Sequence, residues 1–153
     1  MTAKITKDEQ DDEKRYAEIA KDAEEIYEKA LKYYEHPYFD KNRVLPERNM
    51  RIYKKTGELI VPFYEVQKKQ RVTLLFIDAK ENMSFLAGER IPGSFYPIGK
   101  FKNDRPILLT GGLASGLSLH EATENPVVVS GGHESLNEVA KESFGNKIDV
   151  MHY

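Results

Sequence analysis

Two short stretches gather the residues that could do chemistry: Thr110-Gly111-Gly112 and Ser130-Gly131-Gly132-His133, each directly after an apolar run. Glycines that open a helix let backbone amides face an anion, so Gly111-Gly112-Leu113-Ala114-Ser115-Gly116 could hold a phosphate weakly. It is not a P-loop, because no Gly-Lys-Ser/Thr follows, and it fails G-x-G-x-x-G spacing. Glycine used for a tight turn is the plainer reading. Ser115 lies inside the expected helix and outside a G-x-S-x-G elbow, which argues against a nucleophile. His120-Glu121 lacks the second histidine of H-E-x-x-H, since position 124 is Glu. His133 stands at a strand end, where it could face a ligand. His36 has no second histidine at ligand spacing, so a structural or substrate-contacting role fits it better than a metal. No carboxylate pair sits at strand ends near the turn, so two-metal phosphoryl transfer is poorly served. With no cysteine, thiolate ligands, a cysteine nucleophile and disulfides are all excluded.

The elements that must position these residues read as a βαβ unit. Ile107 to Leu109 is a short apolar run, and Leu113, Leu117 and Ala122 can share one helical face. Asn125-Pro126 stops that helix, and Val127 to Val129 is β-branched throughout. Strand, turn, helix, strand predicts two parallel strands and a right-handed crossover. Ligands in such sheets sit at the carboxyl ends of the strands, which here are Thr110 to Gly112 and Ser130 to Gly132. A second helix is expected from His133 or Glu134 to Phe144, and Lys147 to Met151 reads as a third parallel strand.

Upstream, residues 1–14 are acidic and polar, either a frayed tail or a helix N-terminus. From Tyr16 the period is helical, with Tyr16, Ile19, Ala20, Ala23, Ile26, Tyr27, Ala30, Leu31 and Tyr34 on one stripe, ending near Tyr34. His36 to Lys41 reads as an aromatic turn. Arg51 to Tyr53, Leu59 to Val66, Val72 to Ile77 and Ser84 to Leu86 predict an antiparallel meander, with Pro62 favouring an edge or strand start. Gly88 to Ile98 reads as a loop. The spans are a helical segment 1–35, an antiparallel β region 36–104 and a βαβ region 105–153, the last two forming one compact domain.

The formal net charge of −2 conceals an asymmetry: residues 1–35 carry −4, residues 41–71 carry +6 and the remainder −4. Lys41, Arg43, Arg48, Arg51, Lys54, Lys55, Lys68, Lys69 and Arg71 fall in the basic segment, and Tyr38, Phe39 and Tyr53 lie beside or among them. Cations that hold a backbone and aromatics that stack on bases suit single-stranded nucleic acid. A solvated basic hairpin explains the charge equally well. No apolar run approaches membrane-spanning length and the N-terminus is not signal-like, so the cytoplasm is the default compartment and no membrane partner is expected.

The blocks HPYFDKNRV, GELIVPFYE, LLFIDAKENMSFLAG, GSFYPIG and ILLTGGLASGLSLHEATENPVVVSGGHESLNEVAKE occur in this order. Together they resemble the Toprim-containing DNA primases of plasmids, phages and integrative elements, over most of the chain. The resemblance implies metal-dependent phosphoryl transfer on nucleic acid. A glutamate would close the first parallel strand, and an Asp-x-Asp pair binding Mg²⁺ would close the third. This sequence has Gly111-Gly112 where the family has Glu-Gly, and it reaches His152-Tyr153 where the Asp-x-Asp would begin. Met83 stands near a family lysine position and Leu75 at a polar one. Glu121, Glu134 and Asp149 are the nearest substitutes, and their helix or strand setting is expected to turn them away from the glycine turn. The expectation is an α/β protein with an N-terminal helix, a small antiparallel meander and a truncated Toprim-like parallel sheet. It would have no catalytic residues, no metal site and no cofactor, and would bind nucleic acid or replication proteins. The alternatives are an accessory or inhibitor protein that meets a host enzyme through the acidic helix, and a fragment of an active primase.

Overall fold

The computed structural model describes residues 7–32, 35–65, 70–101, 104–140 and 148–150. Helix α1 spans Lys7–Lys29, with Asp8 and Glu9 in its first turn and Lys29 in its last, each complementing the macrodipole. Residues 7–14 therefore take the helix N-terminus alternative, and the helix begins ahead of Tyr16. It also ends well before Tyr34. Leu31 exchanges backbone hydrogen bonds with Ile52 at 3.0 and 3.1 Å, so the chain is already extended there and the Leu31 side chain is exposed. Tyr34 lies outside the described residues.

Helix α2, Pro37–Asn42, replaces the expected aromatic turn. Pro37 presets the first helical φ, the His36 side chain caps the N-terminus, and Arg43 closes the C-terminus at φ 55°. A meander follows: β1 (Arg51–Ile52), β2 (Leu59–Glu65), β3 (Gln70–Ile77) and β4 (Met83–Phe85), antiparallel and in that spatial order. Pro62 sits inside β2, opposite Leu74 of β3. On the other edge β1 reaches only Leu59 and Ile60, and Tyr64 is bridged to Phe95. Pro62 thus falls in the gap between those two pairings, where a missing N–H removes no ladder bond.

The second sheet has the order β5-β7-β6-β8, from β5 (Tyr96–Ile98), β6 (Ile107–Thr110), β7 (Val127–Val129) and β8 (Ile148–Val150). Strand β6 runs parallel to both β7 and β8, as the βαβ pattern requires. The loop reading fails at Tyr96–Ile98, which pairs antiparallel with β7; a Tyr-Pro-Ile run with two glycines nearby gives too short a period-2 signal. Helix α3 spans Leu113–Thr123 and stops at Glu124, with φ 61°, just before Asn125-Pro126. Its buried residues are Leu113, Gly116, Leu117 and Leu119. Ala122 is exposed, so the packed face turns away from it toward the close approach at Gly116. After β7 comes a 3₁₀ turn, His133–Ser135, and then α4, Leu136–Val139. The expected continuation to Phe144 lies outside the described residues.

Alternation along the strands sorts the core into layers. Leu59, Val61, Phe63, Leu75 and Ile77 of the first sheet meet Leu108, Val127 and Val129 of the second, together with α2 and α3. On the outer face of the first sheet, Ile60, Leu74 and Phe76 pack under Ala23 and Tyr27 of α1. On the outer face of the second, Leu109 and Val128 pack with Leu136 and Val139 of α4. No described helix is long and apolar enough to cross a membrane.

Candidate functional site

The two glycine-bearing stretches meet at one edge of the parallel sheet. Thr110 pairs with Val129, and the Ser130 N–H donates to the Thr110 carbonyl at 2.9 Å. Gly131 has φ +86°, and a Cβ there would lie 3.0 Å from Phe85 and 3.1 Å from Phe63, so only glycine suits this bend. The Ser130 hydroxyl donates to the Gly132 carbonyl at 2.7 Å. Ser135 donates to the Ser130 and Gly132 carbonyls at 3.0 and 2.8 Å. These serines therefore hold the turn after β7. His133 begins the 3₁₀ turn four residues after β7, and its side chain lies outside what is described. The Glu134 carboxyl folds back over this turn: a Cβ on Gly132 would stand 3.2 Å from its Oε1. This contact is with the turn after β7 and not with Gly111-Gly112, the glycine turn from which its setting was expected to direct Glu134 away. Glu121 is exposed on α3.

At the other half of the edge, Gly111 is buried and Gly112 caps α3 in an extended conformation with no side-chain hydrogen bond. Tyr38 fills the space. It is 2% exposed, and burial pushes its phenol up to about 12, with Glu81 adding to the rise and a hydrogen bond to the Ala114 backbone opposing it. The fully buried Thr110 hydroxyl finds no partner among the described residues.

Mg²⁺, which the family resemblance implies, asks for fixed carboxylate oxygens. The side-chain oxygens supplied by Thr110 to Gly112 and Ser130 to Gly132 are two hydroxyls, and Gly111 supplies none. No group of three or more His, Asp or Glu gathers anywhere among the described residues. This donor set does not fit the ion.

The basic segment is divided rather than assembled. Arg71 pairs with Glu24 and with Glu28 on α1, the latter at 3.2 Å. Its guanidinium lies 4.1 Å from the Tyr27 ring centroid, and that of Arg51 lies 3.9 Å from the same ring. Arg51 also donates to the Tyr27 carbonyl at 2.7 Å. The acid of one segment and the base of another thus neutralise each other within the molecule, and the Arg71 pairing holds the Glu24 carboxyl below its ordinary value. The three aromatics expected to stack on bases are corrected: Tyr38 and Phe39 are core residues, and Tyr53 packs on Phe76 at 5.6 Å between centroids. Tyr38 and Phe39 on α2 serve burial and Tyr53, just after β1, is half-buried, which a one-dimensional interleaving with lysines does not reveal.

The remaining described cations of the segment are exposed. Lys54 and Lys55 are exposed in the β1–β2 turn, Arg48 is exposed just before β1, and Arg43 is exposed at the end of α2. Lys41 donates to the Ala79 carbonyl at 2.9 Å, close to the end of β3 that pairs with the start of β2. Lys68 and Lys69 lie outside the described residues. Met83 is exposed on β4 and Leu75 is buried on β3.

His36 was legible only as a residue of uncertain role. Its Nδ1 accepts from the Tyr38 N–H at 3.2 Å, so the ring is held neutral with the proton on Nε2. Burial lowers its pKa. Arg90, which sequence reasoning passed over, donates to Glu138 at 2.7 Å and ties α4 to the segment before β5. Comparison with protein-family models and with curated proteins finds no match to this chain.

Proposed function

We propose that this chain is a non-catalytic, primase-type Toprim-like protein of a mobile element that contacts single-stranded nucleic acid. One observation supports the reading most. Strand β8 runs beside β6 in parallel register, with Leu109 opposite Val150. Neighbouring strands lie about 4.8 Å apart, so the ends of the first and third strands form a single station, the one where the resemblance puts its glutamate and its Asp-x-Asp. Position 111 is glycine, which has no group to move a proton or hold a metal. Such a scaffold keeps the shape of a phosphoryl-transfer site without its acid–base carboxylate.

The nucleic-acid contact is assigned to Lys41, Arg43, Arg48, Lys54 and Lys55, the cations at the α2 and β1–β2 end. Five phosphate contacts on a single strand give a log–log salt slope of about −3.5. Fluorescence anisotropy with a labelled oligonucleotide should show this slope, and Lys54→Glu/Lys55→Glu should lessen it by about one. Binding with no salt dependence, or unchanged by the charge reversal, removes nucleic acid from the account. Magnesium-dependent primer synthesis that a chelator abolishes refutes the non-catalytic assignment.

A further inference from the structure

On the side of the first sheet away from Lys54 and Lys55, α1 and the β2–β3 hairpin enclose an open groove of about 1130 Å³. Tyr16 and Ala20 of α1, Val72 of β3 and Ile91 form its apolar floor, with Val72 and Ile91 buried and Tyr16 and Ala20 half-buried. Glu13 and Glu25 stand on its rim. Among the described lining residues, four carboxylates face two cations. One of those cations, Arg71, is already engaged by Glu24, Glu28 and the Tyr27 ring. Helix α1 as a whole carries ten Asp and Glu against five Lys and Arg, so the helix side of the groove is negative.

We propose that this groove docks a basic amphipathic peptide segment of a partner protein, placing an apolar side chain on the floor and lysines or arginines against Glu13 and Glu25. The negative rim repels a phosphate backbone, which sets this surface apart from the nucleic-acid face proposed above. An apolar floor enclosed by acid selects a segment that alternates apolar and basic residues, because a purely apolar segment leaves the rim unpaired and a purely basic one leaves the floor wet.

The test uses the whole protein and three labelled synthetic peptides of equal length, made of Lys and Leu, Lys and Gly, or Glu and Leu. The Lys/Leu peptide is expected to bind and the other two to bind at least about tenfold more weakly. Glu13→Lys/Glu25→Lys should weaken the Lys/Leu peptide by about tenfold, and Ala17→Trp, which fills the groove from an exposed position without changing charge, by a similar factor. Circular dichroism checks that both variants fold. Lys54→Glu/Lys55→Glu should leave peptide binding unchanged, so failure of the nucleic-acid reading and failure of this one are separable. Equal binding of Lys/Leu and Lys/Gly peptides, displacement of the peptide by single-stranded DNA, or full binding by Ala17→Trp overturns the proposal.

Discussion

Gly116 is where α3 comes down onto the parallel sheet. A Cβ at this position would stand 2.5 Å from Val129 Cγ2 and 3.3 Å from both Ile98 Cδ1 and Thr110 Cγ2. Gly116→Ala sets two terms against each other. Alanine in a helix interior gains about 1 kcal/mol over glycine. The methyl must also displace Val129, a β-branched side chain with few rotamers in a fully buried strand, and overpacking of this kind costs about 1–3 kcal/mol. Three close neighbours, none at the end of a long flexible side chain, put the cost in the upper half of that range. The net loss is then about 1–2 kcal/mol, a fall in Tm of roughly 2–8 °C for a chain of this size. Urea and thermal unfolding measure it, and a cycle with Val129→Ala identifies the cause: the double variant should recover at least about 1 kcal/mol relative to additivity. Gly57→Ala is the control. Gly57 has φ +78° with nothing within 4 Å of the added Cβ, so its cost of about 1 kcal/mol is backbone strain and should not couple to Val129. A Gly116→Ala protein as stable as the parent, or a coupling near zero, refutes the close-packing argument.

Two further substitutions probe the groups around α2. Tyr38→Phe keeps the buried ring and removes its hydroxyl, and should cost about 1 kcal/mol near neutral pH by urea unfolding. The folded-state phenol is raised to about 12, so its protonated form supports the fold fully below its ordinary value near 10 and the contribution is lost as pH rises toward 12. Alkaline destabilisation should therefore be shallower in Tyr38→Phe, and equal slopes would contradict the assignment. His36 has the opposite sense: its folded pKa is lowered from 6.5, so its contribution is present above that value and is lost as pH falls through the lowered one, with Asp78 opposing the depression and Lys41 adding to it. Asparagine retains an N-cap acceptor that does not titrate, so His36→Asn should flatten the loss of stability expected of the parent as pH falls below 6.5.

The parallel unit was legible because its signals are local and redundant. Gly112, Asn125-Pro126 and the β-branched Val127 to Val129 each mark a boundary, and they agree. The meander was legible for the same reason. The misreadings lie where tertiary partners decide. Tyr96–Ile98 is a strand because β7 offers an edge, and α1 ends at Lys29 because Ile52 captures the Leu31 backbone. At the site, the glycine turn and the strand ends came from periodicity. Tyr38 over Ala114 and Glu134 over Gly132 depend on how α2 and the 3₁₀ turn fold back, and no spacing encodes that. The basic cluster shows the limit most plainly: adjacency in sequence placed Arg51 and Arg71 with Lys54, while the fold gives both arginines to Tyr27.

The Tyr64–Phe95 bridge carries a consequence for the order of assembly. Two backbone hydrogen bonds, at 2.8 and 3.0 Å, fasten the end of β2 to the residue immediately before β5. Between them β3 folds onto β2 and β4 onto β3 in consecutive hairpins, which close short loops at low entropic cost. The parallel sheet has no such local start, since β6 and β7 are joined through a helix and β8 comes later still. Once the meander exists, the bridge delivers β5 with its direction already fixed, and β5 presents the edge on which β7 registers residue for residue. The antiparallel half of the molecule thus offers a template for the parallel half, and core substitutions in β2–β3 are expected to slow folding more than those in β6–β8, which φ-value analysis would measure.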